Sequence, residues 1–324
     1  MLRGMPEKPT VAIVGAGNLG TAVALSLKEA GYGIEAIVAR SDRKSLAKAR
    51  RLAAKTGAPA VTAARGLRAH VLWLCVPDAE IARAAASLAE SFEGKIALHS
   101  SGALTSDELD PLRRKGAAVA SAHPLMTFVK GSRPLLAGVP FAVEGDTTAA
   151  RVARRIVRDL GGEPYSITKR EKAAYHAWGT FASPLLTALL ATTEQVAGLA
   201  GVNAKAARRR MLPILRQTLE NYGVLGPADG FSGPIVRGDM ETVRGHLQAL
   251  QRAPVPRNVY VALVRAALQY LPTRNESAIK KLLAAQSDRS ANSKPAAQGS
   301  RREAMRPYGG AARIPQPIRK RPGG

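Results

Sequence analysis

Val11-Ala12-Ile13-Val14-Gly15-Ala16-Gly17-Asn18-Leu19-Gly20 is the stretch that decides the fold. Four apolar residues, mostly β-branched, predict a buried strand. Thr21 to Ala30 then reads as a helix, closed by Gly31. The glycines between the two divide the work. Gly15 permits the tight turn, Gly17 lets a diphosphate approach the backbone, and Gly20 lets helix and strand pack closely. Asn18 and Leu19 complete the turn as further expected cofactor contacts, and the helix N-terminus beyond offers free N–H groups and the positive end of its dipole. Ile34 to Ala39 supplies the second strand at the distance a dinucleotide-binding βαβ unit needs.

The end of that second strand selects the cofactor. A site for NAD places a carboxylate there to accept from the ribose 2′-hydroxyl. This chain has Arg40-Ser41, with Arg43 and Lys44 close behind. A cation and a hydroxyl suit a 2′-phosphate, so the pattern predicts NADP; the alternative is that Arg40 belongs to a solvated basic face. Asp42 is free to cap the next helix. Val76 and Pro77, ending the strongest strand signal at Val71–Val76, complete the expected cofactor contacts.

Outward from this unit, strand and helix signals alternate as far as Ile167, predicting a doubly wound, mostly parallel α/β sheet of the Rossmann class over 9–168. Thr105-Ser106-Asp107-Glu108 has capping-box spacing. Beyond Lys169 strand signals vanish. Helical patterns over 170–198, 204–222, 239–251, 257–271 and 276–285 predict an all-helical second domain, 169–285. Residues 286–324 carry nine Lys or Arg against two acids and almost no large apolar groups, the composition of a disordered basic tail.

At 324 residues the chain can bury two cores. No apolar run approaches a membrane span and no leader precedes the first strand, so a cytoplasmic protein with no membrane partner is expected. The lone Cys75 suits a reducing compartment. The net charge of +24 raises nucleic-acid binding, yet aromatics are only 4% and no recognition module stands out, so no specific nucleic-acid partner is expected. The histidines lack ligand spacing, and no metal is expected.

In an open α/β sheet, ligands sit beyond the carboxyl ends of the strands. Pro77-Asp78, Ser100-Ser101-Gly102 and His123-Pro124 fall there. Ser100 and Ser101 suit either turn chemistry or a substrate contact. His123, extended before its proline, suits a proton donor, an oxyanion partner or a structural histidine. On the helix from Arg170, Lys172, His176, Thr180, Ser183 and Thr187 share one face. Lys172 and His176 would serve there as anion binder and acid/base group. Ser232 to Asp239 reads chiefly as a fixed turn in which Asp239 caps the next helix, and Arg237 is a second-ranked anion contact.

Together Gly15-x-Gly17-Asn18-Leu19-Gly20, Val76-Pro77-Asp78, His99 to Leu104, His123 to Phe128, Tyr175-His176 with Ala182-Ser183, and Gly233-Pro234-x-x-Arg237-Gly238-Asp239 resemble one bacterial family. Its members pair a Rossmann-like domain with a helical C-terminal domain of unknown function and are described as NADP-dependent oxidoreductases. The likeness covers residues 9–285 and departs at Pro184, where a family pattern has Asn. More distantly the arrangement is similar to pyrroline-5-carboxylate reductase, 6-phosphogluconate-type dehydrogenases, deazaflavin-dependent NADP oxidoreductases and prephenate dehydrogenase.

The resemblance implies an NADP enzyme and a homodimer through the helical domain but supplies no substrate; the strand-end residues lead to the expectation of a hydride passed to or from a small, anionic carbonyl or imine compound. Catalysis is expected from His123, His176, Ser101 and Lys172 at the cleft between the domains. The rival expectation is a non-catalytic NADPH-binding sensor or scaffold.

Overall fold

The computed structural model describes residues 6–62, 66–88, 92–131 and 136–291. Of the expected disordered tail, 286–324, residues 286–291 are helical and 292–324 lie outside the described residues. Two compact units divide between Ser183 and Pro184.

The first unit is built on an eight-stranded sheet: β1 (Val11–Val14), β2 (Ile34–Val38), β3 (Ala60–Val61), β4 (Val71–Leu74), β5 (Ile96–His99), β6 (Ala118–Pro124), β7 (Pro140–Gly145) and β8 (Glu163–Ser166). Their spatial order is β3-β2-β1-β4-β5-β6-β7-β8. All pairings are parallel except β6–β7, where His123 lies opposite Ala142 and Pro124 opposite Phe141. The chain leaves β1 for β2 and β3 and returns on its other side as β4. The carboxyl ends of β1 and β4 therefore diverge, the switch point at which such sheets hold ligands.

The central strands are apolar on both faces because both faces are covered. Alternate residues serve opposite layers. Val11, Ile13, Trp73 and Leu98 enter one core with Leu27 and Ile156; Leu72, Leu74, Ala97 and Val119 enter the other with Ile81 and Leu109. The covering helices are α1 (Asn18–Glu29), α2 (Arg43–Thr56), α3 (Ile81–Ser87), α4 (Asp110–Arg113) and α5 (Thr147–Asp159). Asp42 does cap α2, accepting from the Ser45 amide at 2.9 Å. Thr105 forms no capping box with Glu108: its hydroxyl accepts from the Asp107 amide and starts a single 3₁₀ turn, Ser106–Leu109. The capping box forms at Thr168, where Glu171 reaches back to the Thr168 amide at 2.7 Å. It leads into α6 (Lys172–Thr180), which closes the first unit.

The single helix expected over 170–198 is interrupted. A π-helical turn spans Phe181–Leu185 before α7 (Leu186–Leu199) resumes. Pro184 lies inside that turn; it has no N–H to give the helical ladder.

The second unit contains α7, α8 (Ala204–Asp229), α9 (Pro234–Arg237), α10 (Met240–Ala249), α11 (Pro254–Tyr270) and α12 (Glu276–Ala291). α8 outruns the expected 204–222 and loses helical geometry at Gly226, whose φ is 75°. α12 continues six residues past the expected end. The core gathers Val243, Leu247, Val264, Leu268, Ile279 and Leu283. A bidentate pair joins Arg208 to the buried Glu194 at 2.8 and 2.9 Å. The turn before α10 is fixed as expected. Asp239 accepts from the Thr242 amide and hydroxyl, and a side chain at Gly238 would strike the Arg274 carbonyl. Arg237 is exposed and forms no ion pair with Asp239. No single helix among the described residues is long and apolar enough to cross a membrane.

Candidate functional site

Two groups of side chains meet the carboxyl edge of the sheet. The first surrounds the glycine turn. Gly15 has φ +104°, and a Cβ there would lie 2.7 Å from the Cys75 carbonyl oxygen. A Cβ on Gly20 would lie 2.0 Å from the Gly15 carbonyl oxygen, so only hydrogen fits where α1 meets β1. At Gly17 a Cβ would meet nothing within 4 Å: the space beyond it is open. Gly17 is also the N-cap of α1 and offers no side-chain cap, which leaves the first amides of the helix facing that space.

The space is a cleft of about 640 Å³. Of the sequence-predicted cofactor residues, Gly15, Gly17, Arg40, Val76 and Pro77 line it. Asn18, Leu19, Gly20 and Ser41 do not. The Asn18 amide instead donates to the Phe128 carbonyl at 3.0 Å, tying the turn to the chain that follows β6. Leu19 packs on the core, Gly20 acts through close packing, and Ser41 points to solvent.

The structure adds Ser45, Lys48, Glu80 and Arg83 to the lining. Ser45 and Lys48 are three apart on α2, and Glu80 and Arg83 three apart where α3 begins. That spacing was a usable signal once Arg40 and Pro77 were chosen. Arg40 donates to Glu80 at 2.8 Å and lies 3.4 Å from Asp42. Cys75 is inert, its thiol pushed up to about 12 by burial.

The second group gathers at the ends of β5 and β6 under α6. His99 is buried: its Nδ1 accepts from the Ser101 amide at 3.1 Å and its Nε2 contacts the Thr105 carbonyl at 2.9 Å. Ser100 accepts from the Trp73 indole at 2.8 Å. The Ser101 hydroxyl donates to Asp78 at 2.8 Å and accepts from the amides of Ala103 and Leu104. It is fully used in bracing its turn, which leaves it no free proton for catalysis.

Lys172 is 1% exposed, not part of a solvated stripe. Its ammonium donates to the Ser101 carbonyl and to the Ser121 hydroxyl, both at 2.7 Å. Burial lowers its pKa to about 8, with Glu144 and Asp78 holding it up. One turn on, His176 is exposed, and it meets His123 at Gly102. A Cβ on Gly102 would lie 2.8 Å from His176 Cδ2 and 2.9 Å from His123 Nε2. Burial, then the Lys172 charge, pushes His123 down to about 3; the same two causes bring His99 to about 4. Both imidazoles are neutral at ordinary pH, and Lys172 is the cation of the group. Of the four catalytic candidates, His123 and His176 meet at Gly102, the Lys172 charge acts on His123, and Ser101 braces the turn between them. Tyr175, whose hydroxyl lies 2.6 Å from His123 Nδ1, was missed as a polar partner because its position reads as apolar helix face.

A doubly wound sheet opening at its switch point on a glycine turn defines a Rossmann-class, dinucleotide-type fold. Residues 5–124 match the model of the Rossmann-like domain, and residues 139–267 match a domain of unknown function, DUF2520. The chain therefore carries the Rossmann-like and DUF2520 pair that its motifs resemble. The two matches part at the antiparallel seam, so β7, α5 and β8 fall in the second. No curated protein matches the sequence.

Among solved structures, the chain is similar to a candidate NADP oxidoreductase of Bacteroides fragilis. The two share 22% identity with a TM-score of 0.65, over 80% of this chain and 98% of that one. A Thermotoga maritima protein gives 23%, 0.64, 79% and 96%. A reductive aminase of Aspergillus terreus, solved with NADPH and ethyl-5-oxohexanoate, gives 17%, 0.60, 85% and 99%. At these identities the likeness is one of fold.

Proposed function

We propose that this protein is an NADP(H)-dependent oxidoreductase acting on a small, anionic carbonyl or imine compound. The observation that carries the reading is Arg40 at the end of β2, where an NAD site needs a carboxylate, lining a cleft with Lys48 and Arg83. Glu80 balances part of that charge and leaves a cationic excess suited to a 2′-phosphate. The open approach at Gly17 and the uncapped amides of α1 suit a diphosphate. The residues present thus fit the cofactor. Bound NADPH supplies a hydride, two electrons with one hydrogen, and the remaining hydrogen of the product arrives as a proton.

The chain's own residues divide the rest. His123 offers a neutral imidazole, Lys172 a buried positive charge, and His176 an imidazole open to solvent. Gly102 keeps the space between the two rings clear. A homodimer through the helical unit is supported by its uncovered apolar side chains: Ile214, Leu219, Val224 and Leu225 are all more than half exposed.

The test is a fluorescence titration of the purified protein with NADPH and NADH. Saturable binding is expected for both, with NADPH tighter by at least tenfold; absence of saturable NADPH binding would sink the reading.

A further inference from the structure

Tyr175 belongs to the strand-end group, yet the proposed function gives it no task. It is buried, and its ring stands edge-on to His123, Tyr165 and Trp178, with centroids 5.4, 6.3 and 6.2 Å away. So held, its hydroxyl has two acceptors within reach: His123 Nδ1 at 2.6 Å and the His123 carbonyl at 3.4 Å. The shorter contact wins, because a phenol is a better donor than a neutral imidazole and a 3.4 Å bond to the carbonyl is weak. Tyr165 is the rival acceptor, and it acts on Tyr175 electrostatically, but its buried hydroxyl lies outside hydrogen-bond geometry, with no such partner among the described residues. The phenol therefore donates to Nδ1, and the ring proton of neutral His123 is left on Nε2. That nitrogen faces the space above Gly102.

Charge alone does not choose the substrate. Among the described residues the Lys172 ammonium bonds two neutral acceptors, Ser101 O and Ser121 Oγ, while Glu144 and Asp78 attract it from nearby. The donor does choose: a carbonyl oxygen accepts from Nε2–H, whereas an iminium nitrogen has no lone pair with which to accept.

We propose that Tyr175 is a positioning residue that holds His123 as its Nε2–H tautomer, so that the site donates a hydrogen bond to a substrate oxygen and takes carbonyl compounds in preference to iminium ions. This rests on the oxidoreductase reading for its substrate class, but not for its tautomer.

Long-range ¹H–¹⁵N correlation of the histidine rings in the full-length protein reads the tautomer without cofactor or turnover, with His123→Gln giving the assignment. The expected wild-type spectrum has a pyridine-like Nδ1 and a pyrrole-like Nε2 at His123, and Tyr175→Phe averages the two tautomers. With NADPH saturating, a cyclic ketone should turn over faster than the cyclic iminium of the same ring size. In Tyr175→Phe the ketone kcat should fall about tenfold at a near-constant KM, the worth of one neutral hydrogen bond. A protonated Nδ1 in the wild type, a ring spectrum indifferent to Tyr175→Phe, or faster turnover of the iminium each overturns the proposal. Failure of NADPH to bind would remove the oxidoreductase reading and leave the tautomer standing.

Discussion

The two units solve the same burial problem to different depths. In the first, strands with both faces covered feed two cores, and even Lys172 is 1% exposed. In the second, six residues form the core, while α7 and α8 bury one residue each, Glu194 and Ala207. A sheet buries its residues against helices on either side. Long helices with apolar side chains all round need something further to pack on. The first unit is finished within its own chain, and the second leaves apolar side chains exposed, the surface that the proposed dimer would cover.

The sharpest way to break that comparison is Ile214→Asp with Leu219→Asp on α8. Both side chains are exposed, 67% and 62%, so the double variant should keep its helical circular dichroism. Association should weaken by more than a thousandfold, giving a monomer at micromolar concentration in sedimentation. A wild type already monomeric there, or a variant still dimeric, removes the contrast.

Next in size is the cost of burying Lys172. Its folded pKa is about 8 against an ordinary 10.5, so between those values the unfolded chain binds the extra proton. Stability therefore rises as pH climbs from about 8 to 10.5, by about 3 kcal/mol, and the cost is fully present below 8. The neutral pair His99 and His123 acts in the acid range: stability is lost as pH falls below 6.5 toward their folded values near 4 and 3. Denaturant midpoints across pH, with Lys172→Met flattening the alkaline limb, check both. A flat alkaline limb in the wild type would mean the ammonium is not held in a dry site.

The smallest effect expected concerns Arg40. Replacing it with Asp removes a charge-assisted contact worth about 1.5–3 kcal/mol. The ratio of NADPH to NADH affinity should fall ten- to a hundredfold. An unchanged ratio would assign the 2′-phosphate elsewhere and reduce Arg40 to a partner of Glu80.

How far the sequence was legible follows from range. The β1–turn–α1 unit is local, every requirement lying within Val11 to Gly31, so residue type sufficed. The alternation through Ile167 likewise gave the strands. It could not give the reversed direction of β7, because Phe141 to Glu144 has the same apolar pattern whichever way it runs. The break at Pro184 was legible in principle, a proline inside a helical pattern. The Thr168–Glu171 box was also there to be read, whereas the same spacing at Thr105 led only to a 3₁₀ turn. The site was legible as a list of strand ends but not as a network. Lys172 was legible as a cation facing a cleft but not as a buried one, because its partners, Ser101 and Ser121, come from strand ends 71 and 51 residues away.

The reversal of β7 has a consequence for how the molecule can vary. Because β7 runs back against β6, the end of β6 and the start of β7 lie at the same rim, the one that carries His123. Asn18 fastens the connection between them at Phe128 to the glycine turn. Insertions there would leave every ladder intact and alter the rim alone, so one scaffold could exchange substrates without rebuilding its nucleotide cradle.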